Sequence, residues 1–385
     1  MYAQIVSLGD ETINCVYAQW DKRKLVKKVI GRRICDALQI KMAKNCEYKK
    51  EDIVNVVLFS IADDVSIEYG SERMREKGIK APSGDDIFYH LGRLEAKDVL
   101  SAFYRVNSEI LRKEKRRRAP CAIDIHKIPY YGKHKDKHVV GMEKARGTNY
   151  GYAYASIDRV DDKTVTLSAI PLNQLTTKRE IITQLIKEAR KHVSIARAFL
   201  DRGFFNIESI KTLIDPGVPF IIPAMKNKKI SRAIEEAHLK GRHIPCTDSK
   251  VFITDYTMGK GENSVTVKLV VVLEFKGKEW KEFAYVTNMD VDPGSALLLA
   301  ESYRSRWMIE TGYRVKEEVR GKTCTRSYAV RLLLQLISVL LYNLWRLCNA
   351  CIETRIIMDE FKDIMLDCIL ARKEQSPSFD VIPAH

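Results

Sequence analysis

The chain has 385 residues, a formal net charge of +15 and a hydrophobic content of 45%. This length allows two or three domains with real cores, and the basic excess indicates a polyanionic partner such as DNA, RNA or an anionic membrane surface. A membrane protein is not expected. No secretory signal precedes the first acidic residues, and the most apolar window, 332–347, is shorter than the roughly 20 residues that span a bilayer.

The nine cysteines are scattered and odd in number, which favours reduced thiols in a cytosol. Cys348 and Cys351 form a CxxC pair without a second pair or a nearby histidine. We interpret them as buried helix residues rather than as a zinc or redox site.

Residues 1–118 are predicted to be helical and basic. A helix, a break and a further helix in a basic protein are typical of a helix-turn-helix-like region that binds DNA ends, and a plain helical bundle is the alternative. The supporting features are a basic amphipathic stretch at 22–38, helical periodicity at 47–63 and 85–111, a break at 81–85 and a cationic run at 112–118.

Residues 119–223 show the element order of a ribonuclease H-like α/β domain, the predicted catalytic domain. Three strands would form a meander, and two later strands would enter by crossovers through helices. The predicted strands are 121–126, 150–157, 164–170, 195–200 and 218–223, and the predicted helices are 177–192 and 205–213.

Residues 224–292 are predicted to be an all-β insertion in this domain. The segment starts with a polar helical stretch at 226–240, followed by β-rich runs at 249–256, 264–275 and 279–287. Residues 293–375 would complete the ribonuclease H-like domain with C-terminal helices, and 376–385 would be a tail.

Three acidic residues lie where such a sheet could bring them together. Asp124 lies inside the first predicted strand, Asp201 directly follows the fourth, and Glu310 lies on a later helix. Carboxylates on rigid elements can hold paired divalent ions for phosphoryl transfer, and Mg²⁺ prefers such hard oxygen ligands.

Leu299, Tyr303, Arg306 and Glu310 follow one another at intervals of four, three and four residues. This spacing places all four on one stripe of a helix, for which Ser295 is the predicted N-cap. The stripe could hold a metal ion and a phosphate, or it could be a solvated helix face with an Arg–Glu pair.

These segments resemble the DDE transposases of the IS4-like group, and within it the ISH3-type insertion-sequence transposases. The resemblance covers about 121–351. It rests on the strand around Asp124 with the Ile128–Gly132 segment after it, on Leu200–Phe204, and on the motif Tyr303-x2-Arg306-x3-Glu310.

The resemblance implies metal-dependent cleavage at transposon DNA ends, followed by strand transfer of the freed 3′ hydroxyl into target DNA. Asp124, Asp201 and Glu310 would be the catalytic residues and would hold Mg²⁺, with Mn²⁺ able to substitute. The partners would be double-stranded DNA, both terminal inverted repeats and target, and a second copy of the chain in a homodimer. The location would be cytoplasmic, at a prokaryotic nucleoid.

Phosphate ligands are implied in the same way. Tyr303 and Arg306 would hold phosphates near the cleaved end, and Arg202 beside Asp201 would meet another. The family's signature lysine is expected seven residues after the glutamate, where this chain has an acid instead. Lys316 and Lys322 are the two lysines near that position, and Lys316 is the predicted phosphate ligand.

Trp280 in the insertion is the candidate for stacking on a flipped DNA base, with Trp307 second, although an aromatic residue in a β-rich run more often belongs to the core. His126 shares a strand face with Asp124 and could touch a phosphate or simply pack. Asp158 and its neighbours at 161–162 are predicted to be ordinary turn acids.

Two other functions stay open at this point. The chain could be a catalytically silent DNA-binding protein derived from a transposase. It could also be a ribonuclease H-like nuclease that acts on RNA or on structured DNA.

Overall fold

The computed structural model describes residue 26 and residues 33–114, 117–132, 136–145, 147–350 and 355–370. The chain forms two compact units. One contains residues 1–110 with 314–385, and the other contains residues 111–313. Of the predicted basic stretch at 22–38, residues 22–25 and 27–32 lie outside the described residues, as do the centre of the cationic run, His134, Cys351 and the tail. The predicted domain limits stay a prediction.

The helices of both units are numbered here in chain order. They are α1 (Ile34–Ala37), α2 (Lys50–Ala62), α3 (Ile67–Glu76), α4 (Gly84–Leu91), α5 (Ala96–Ile110), α6 (Lys178–Ala189), α7 (Ile207–Ile214), α8 (Lys228–Lys240), α9 (Pro293–Arg304), α10 (Trp307–Glu318), α11 (Tyr328–Ala350) and α12 (Met358–Leu370).

The first unit is helical and is centred on α11. This helix is long and apolar enough to cross a membrane by length and composition, but 83% of its most apolar window is buried in the protein, as predicted for a core helix. Asn343 on α11 donates a buried side-chain hydrogen bond to Asn107 on α5 over 2.8 Å. The sequence-based prediction missed α3 and joined α4 to α5, which are separated at residues 92–95.

The second unit is built on one mixed sheet. Its strands are β1 (Arg117–Pro129), β2 (Val139–Ala145), β3 (Thr148–Arg159), β4 (Val165–Pro171), β5 (Val193–Leu200), β6 (Phe220–Pro223), β7 (Arg242–His243), β8 (Ser249–Met258), β9 (Val265–Lys276) and β10 (Glu279–Thr287).

The sheet order is β2-β3-β1-β5-β6-β10-β9-β8-β7, with β4 also paired to β3. β1, β3 and β4 form the predicted antiparallel meander, and β5 and β6 continue beside β1 in parallel. The sequence-based prediction missed β2, whose partly exposed and polar residues lack the apolar run of a buried strand.

Alternation along the central strands gives the sheet two apolar faces. Cys121, Ile123 and Leu200 pack on the face that also carries α6, α7 and α8. Ala122 and Phe199 pack on the opposite face with residues of α9 and α10. The same alternation puts Asp124 and Asp201 on this second face.

The predicted helical stretch at 226–240 is present as α8, so the segment 224–292 is not all-β. Its strand β10 pairs antiparallel with β6 at Tyr285–Pro223 and Val286–Ile222. The strands of the segment therefore extend the central sheet instead of forming a separate β module. The predicted β-runs and their turns are correct in position.

The predicted continuous stripe at 299–310 is interrupted. α9 ends at Arg304 and α10 starts at Trp307, and the turn between them is tightened by i−3 backbone hydrogen bonds. The hydroxyl of Ser305 donates to the carbonyl oxygen of Ser302, which favours such a bend. Asp292, rather than Ser295, is the N-cap of α9, because the Asp292 carboxylate accepts from the backbone N–H groups of residues 294 and 295.

The Asn107–Asn343 pair provides a test of the helical unit. We expect Asn343→Leu to lower the free energy of unfolding by about 1–3 kcal/mol, because it leaves a buried amide without its partner. Asn107→Leu combined with Asn343→Leu should cost less than the sum of the single changes. Urea unfolding curves of the single and double variants measure both quantities, and strictly additive losses would contradict the coupling.

Candidate active site

Strand register places the two aspartates side by side. β5 runs parallel to β1 with Leu200 alongside Ile123, so the next position, Asp201, lies beside Asp124. Asp201 directly follows the end of β5 and precedes a short 3₁₀ turn at Arg202–Phe204. The predicted meeting of these two acids at one place on the sheet is therefore present.

Arg306 connects the third acid to this pair. Its guanidinium lies 3.3 Å from Asp124 Oδ2 and 2.5 Å from Glu310 Oε1. The Arg306 and Asp124 side chains are each only 13% exposed, whereas that of Glu310 is 31% exposed. The structure thus brings together Asp124, Asp201, Arg306 and Glu310.

The acids repel one another in this partly buried place. Burial raises the pKa of Asp124 to about 6, and the negative charges of Asp201 and Glu310 add to the rise. The backbone N–H of Ile125 and the charge of Arg306 act in the opposite direction. The cluster therefore carries more negative charge than its single arginine neutralises.

The donor set fits a hard divalent cation. All three acids offer carboxylate oxygens, the ligands that Mg²⁺ and Mn²⁺ accept. Asp201 Oδ1 is buried without a hydrogen-bond partner, and a Cβ on Gly203 would stand only 3.2 Å from it. Within the described residues, no group of three or more His, Cys, Asp or Glu is arranged to hold a metal ion, and Arg306 pairs with two of the three acids.

Tyr303, a residue of α9, lies next to the acidic cluster. Its hydroxyl donates to the backbone carbonyl of Leu200 over 3.1 Å, and its ring packs against Phe199 and Tyr285. Burial raises the pKa of the Tyr303 phenol. Tyr303 thus supports the end of β5 that presents Asp201, and its predicted phosphate contact stays a prediction.

A buried polar network lies behind Asp124. The hydroxyl of Tyr313, one turn after Glu310, donates to the backbone carbonyl of Asp124 over 3.1 Å and lies 3.0 Å from Ser156 Oγ. Ser156 in turn donates to Asp158. The Tyr313 ring stacks on His126 at 4.7 Å. The network ties the helix of Glu310 to the strand of Asp124.

The prediction that Asp158 is an ordinary turn acid is wrong. Asp158 lies inside β3 opposite Ala122 and is fully buried. Sequence alone placed it near the β3–β4 turn because the strand continues further than its apolar residues indicate. Asp158 follows Ser156 by two residues and therefore shares its strand face, which could have indicated that Asp158 is buried.

The remaining predicted phosphate ligands are not in the cluster. Arg202 is exposed next to Asp201. Lys316 belongs to the helical unit, where it is 2% exposed with its ammonium 5.0 Å from the Tyr342 ring centre. Burial counts against its predicted phosphate contact. Lys322 hydrogen-bonds to the backbone of Asp64 over 2.7 Å.

Trp280 lies in a different neighbourhood of the sheet. Its half-buried ring packs against Phe275 at 5.2 Å, with the Lys250 ammonium 5.4 Å from the ring centre. These contacts favour a packing role, and base stacking by Trp280 stays a prediction. Trp307 is 60% exposed at the start of α10, next to Arg306.

Lys178 is a residue that the sequence analysis missed. It is the first residue of α6, and its ammonium lies 4.2 Å from the ring centre of Phe204, three residues after Asp201. Burial lowers the pKa of Lys178, while the charges of Asp201 and Asp124 raise it. The sequence showed the helix but not that its first residue lies near the acids.

These features define a general class, a mixed α/β protein whose central sheet presents an acidic cluster with an arginine. Residues 122–344 match the family profile described as Transposase DDE domain, and the chain belongs to this family. The protein is thus a DDE transposase by family, a class of DNA phosphoryl-transfer enzymes that use divalent metal ions. Membership in the narrower IS4-like group stays a prediction.

The fold is similar to a solved transposase. The chain aligns with the piggyBac transposase in a cryo-EM synaptic complex with hairpin DNA, with a TM-score of 0.56 and 12% sequence identity. The alignment covers 97% of this chain and 84% of that chain. At this identity the similarity concerns the fold alone. A search of curated proteins gave no match.

The Tyr313 network provides a second test. Tyr313→Phe and Ser156→Ala should each lower the free energy of unfolding by about 1 kcal/mol, because buried oxygen atoms lose partners. The double variant should deviate from additivity by about 0.5 kcal/mol or more. Combining Tyr313→Phe with Thr257→Ala on β8 is the matched control and should be additive. Additive losses for Tyr313 and Ser156 would contradict the network.

Proposed function

We propose that the protein cleaves DNA at the ends of a transposon and joins the freed 3′ hydroxyl to target DNA. The observation that carries this proposal is the register of β1 and β5, which sets Asp124 beside Asp201 on the sheet face covered by α9 and α10. Arg306 contacts both Asp124 and Glu310 there. Membership in the transposase family supports it.

Asp124, Asp201 and Glu310 would hold divalent ions, Mg²⁺ or Mn²⁺, in this role. Bound divalent ions activate the attacking oxygen and stabilise the charge on the leaving oxygen in phosphoryl transfer. The acids suit the task because two of them come from one rigid sheet. The network of Tyr313 holds α10, the helix of the third acid, against that sheet.

Each chemical step exchanges one P–O bond for another. In cleavage, water attacks a phosphodiester phosphorus, a new P–O bond forms, and the bond to the 3′ oxygen breaks and leaves a 3′ hydroxyl. In strand transfer, that hydroxyl attacks a target phosphodiester and displaces a target 3′ oxygen. The deprotonation of the attacking oxygen balances the protonation of the leaving oxygen, so neither step needs an energy-supplying cofactor.

Arg306 is the proposed phosphate ligand of the cluster. Its planar guanidinium presents donors that match phosphate oxygens, and its Nε lies buried without a hydrogen-bond partner. In this structure its terminal nitrogens neutralise Asp124 and Glu310. With divalent ions held by the carboxylates, the guanidinium of Arg306 would be available to a DNA phosphate.

DNA ends and target DNA are the proposed partners, within a homodimer that holds two ends. The net charge of +15 favours a polyanion. The structurally similar piggyBac protein was solved in a synaptic complex with hairpin DNA, which agrees with a DNA-bound assembly here. The helical region at 33–110 is the proposed end-binding part.

Two alternatives remain distinguishable by experiment. A catalytically silent DNA-binding protein would bind duplex DNA without cutting it in Mg²⁺ or Mn²⁺. A ribonuclease H-like nuclease would prefer an RNA–DNA hybrid to duplex DNA. The intact acid set favours the active transposase over the silent protein.

The carboxylates provide the direct test. Asp124→Asn, Asp201→Asn and Glu310→Gln should each lower the rate of DNA end cleavage by at least about a hundredfold, because each change removes a charged metal ligand. The substrate is duplex DNA from the regions that flank the gene, with Mg²⁺ or Mn²⁺, and strand breaks are read on denaturing gels.

Asp162→Asn is the matched control, since Asp162 is an 81% exposed acid in the turn between β3 and β4. This variant should cut at the normal rate, and all four variants should bind DNA like the unmodified protein. Normal cleavage by any of the three cluster variants would refute the assignment for that residue.

A further inference from the structure

The environment of the Lys178 ammonium favours the binding of an anion. Lys178 is partly buried at the start of α6, with its ammonium over the Phe204 ring at 4.2 Å. Within the described residues, no acidic group lies within 4 Å of its ammonium to form an ion pair. A cation that is partly removed from water without such a partner is costly unless a ligand supplies the missing negative charge.

The surroundings of Lys178 link it to the acidic cluster. Phe204 is 1% exposed and belongs to the short turn that begins at Asp201, so this turn joins the lysine to the acid. The charges of Asp201 and Asp124 both act on the ammonium. Lys178 therefore lies within electrostatic reach of two of the three carboxylates, yet it is not paired with either.

The two lysines near the predicted signature position, and Lys127 near Lys178, have contacts of their own. Lys316 is buried with its ammonium on the Tyr342 ring, and Lys322 forms an ion pair with Asp64 at 3.0 Å. Lys127, which also acts on Lys178, donates to the carbonyl oxygen of Gly141 over 2.9 Å. Lys178 differs from them in place, because its ring contact is with Phe204 in the turn that follows Asp201.

We infer that Lys178 is a phosphate-binding residue of the active site and contacts the DNA backbone next to the reacting phosphodiester. This inference rests on the proposed function. A phosphate that reaches the acids brings further negative charge into an acidic site, and a poised ammonium offsets that charge without competing for the carboxylate oxygens. The Phe204 ring holds the ammonium next to the turn of Asp201 through a cation–π contact.

The first experiment measures DNA binding without metal. Affinities of Lys178→Met and the unmodified protein for a fluorescein-labelled duplex from the gene's flank are measured in EDTA across a KCl series. One lost phosphate contact should reduce the slope of log K against log salt by about 0.9. Lys178→Met keeps the apolar stem on Phe204, and Lys178→Arg should restore the slope.

Lys187→Met is the matched control, because Lys187 is an exposed lysine of the same helix. It should leave the slope unchanged. Equal slopes for all proteins, or an equal decrease for Lys178→Met and Lys187→Met, would overturn the inference. Melting curves verify that each variant is folded, and Lys178→Gln removes the charge in its place if the methionine variant does not fold.

The second experiment separates this inference from the proposed function. With Mg²⁺, Lys178→Met should cleave roughly tenfold to a hundredfold more slowly, as expected for the loss of one charge-assisted contact, and Lys178→Arg should recover part of the rate. If the unmodified protein cleaves and Lys178→Met cleaves equally fast, only the role of Lys178 is wrong. If the unmodified protein never cleaves, the proposed function fails, and the salt slope in EDTA still decides the role of Lys178.

Discussion

The mutual repulsion of Asp124, Asp201 and Glu310 is the constraint on which the catalytic unit depends. Acids placed this close, in partly buried positions, are stable only when a counter-charge is present. In this structure Arg306 supplies it by contacting both Asp124 and Glu310. In the proposed function the same two carboxylates would hold metal ions, so neutralisation by arginine and neutralisation by metal would be alternatives at one place.

The rest of the unit holds these charges in position. Parallel pairing of β1 with β5 sets the spacing of the two aspartates, and Tyr303 supports the end of β5 through the Leu200 carbonyl. Tyr313 connects the helix of Glu310 to the backbone at Asp124. Arg306 lies in the break between α9 and α10, so its side chain is positioned by a tight turn rather than by an ideal helix.

Several elements were predictable because their patterns are local. Apolar strands, the capped helix α6 and the glycine turns of the extended sheet follow from residue preferences within a few positions. The weakly patterned β2, the helix α3 and the burial of Asp158 were not predictable in this way. In each case tertiary packing overrides a short sequence that by itself favours a loop or an exposed position.

The sequence by itself indicated the candidate site residues Asp124, Asp201, Tyr303, Arg306 and Glu310, because they stand in recognisable local motifs. It did not determine which basic side chains lie near these residues. Only the tertiary structure decided that Lys316 is buried away in the helical unit, while Lys178 lies beside the turn of Asp201. The physical reason is that charge interactions depend on distance in space, and residues 178 and 201 approach each other only when strands and helices pack.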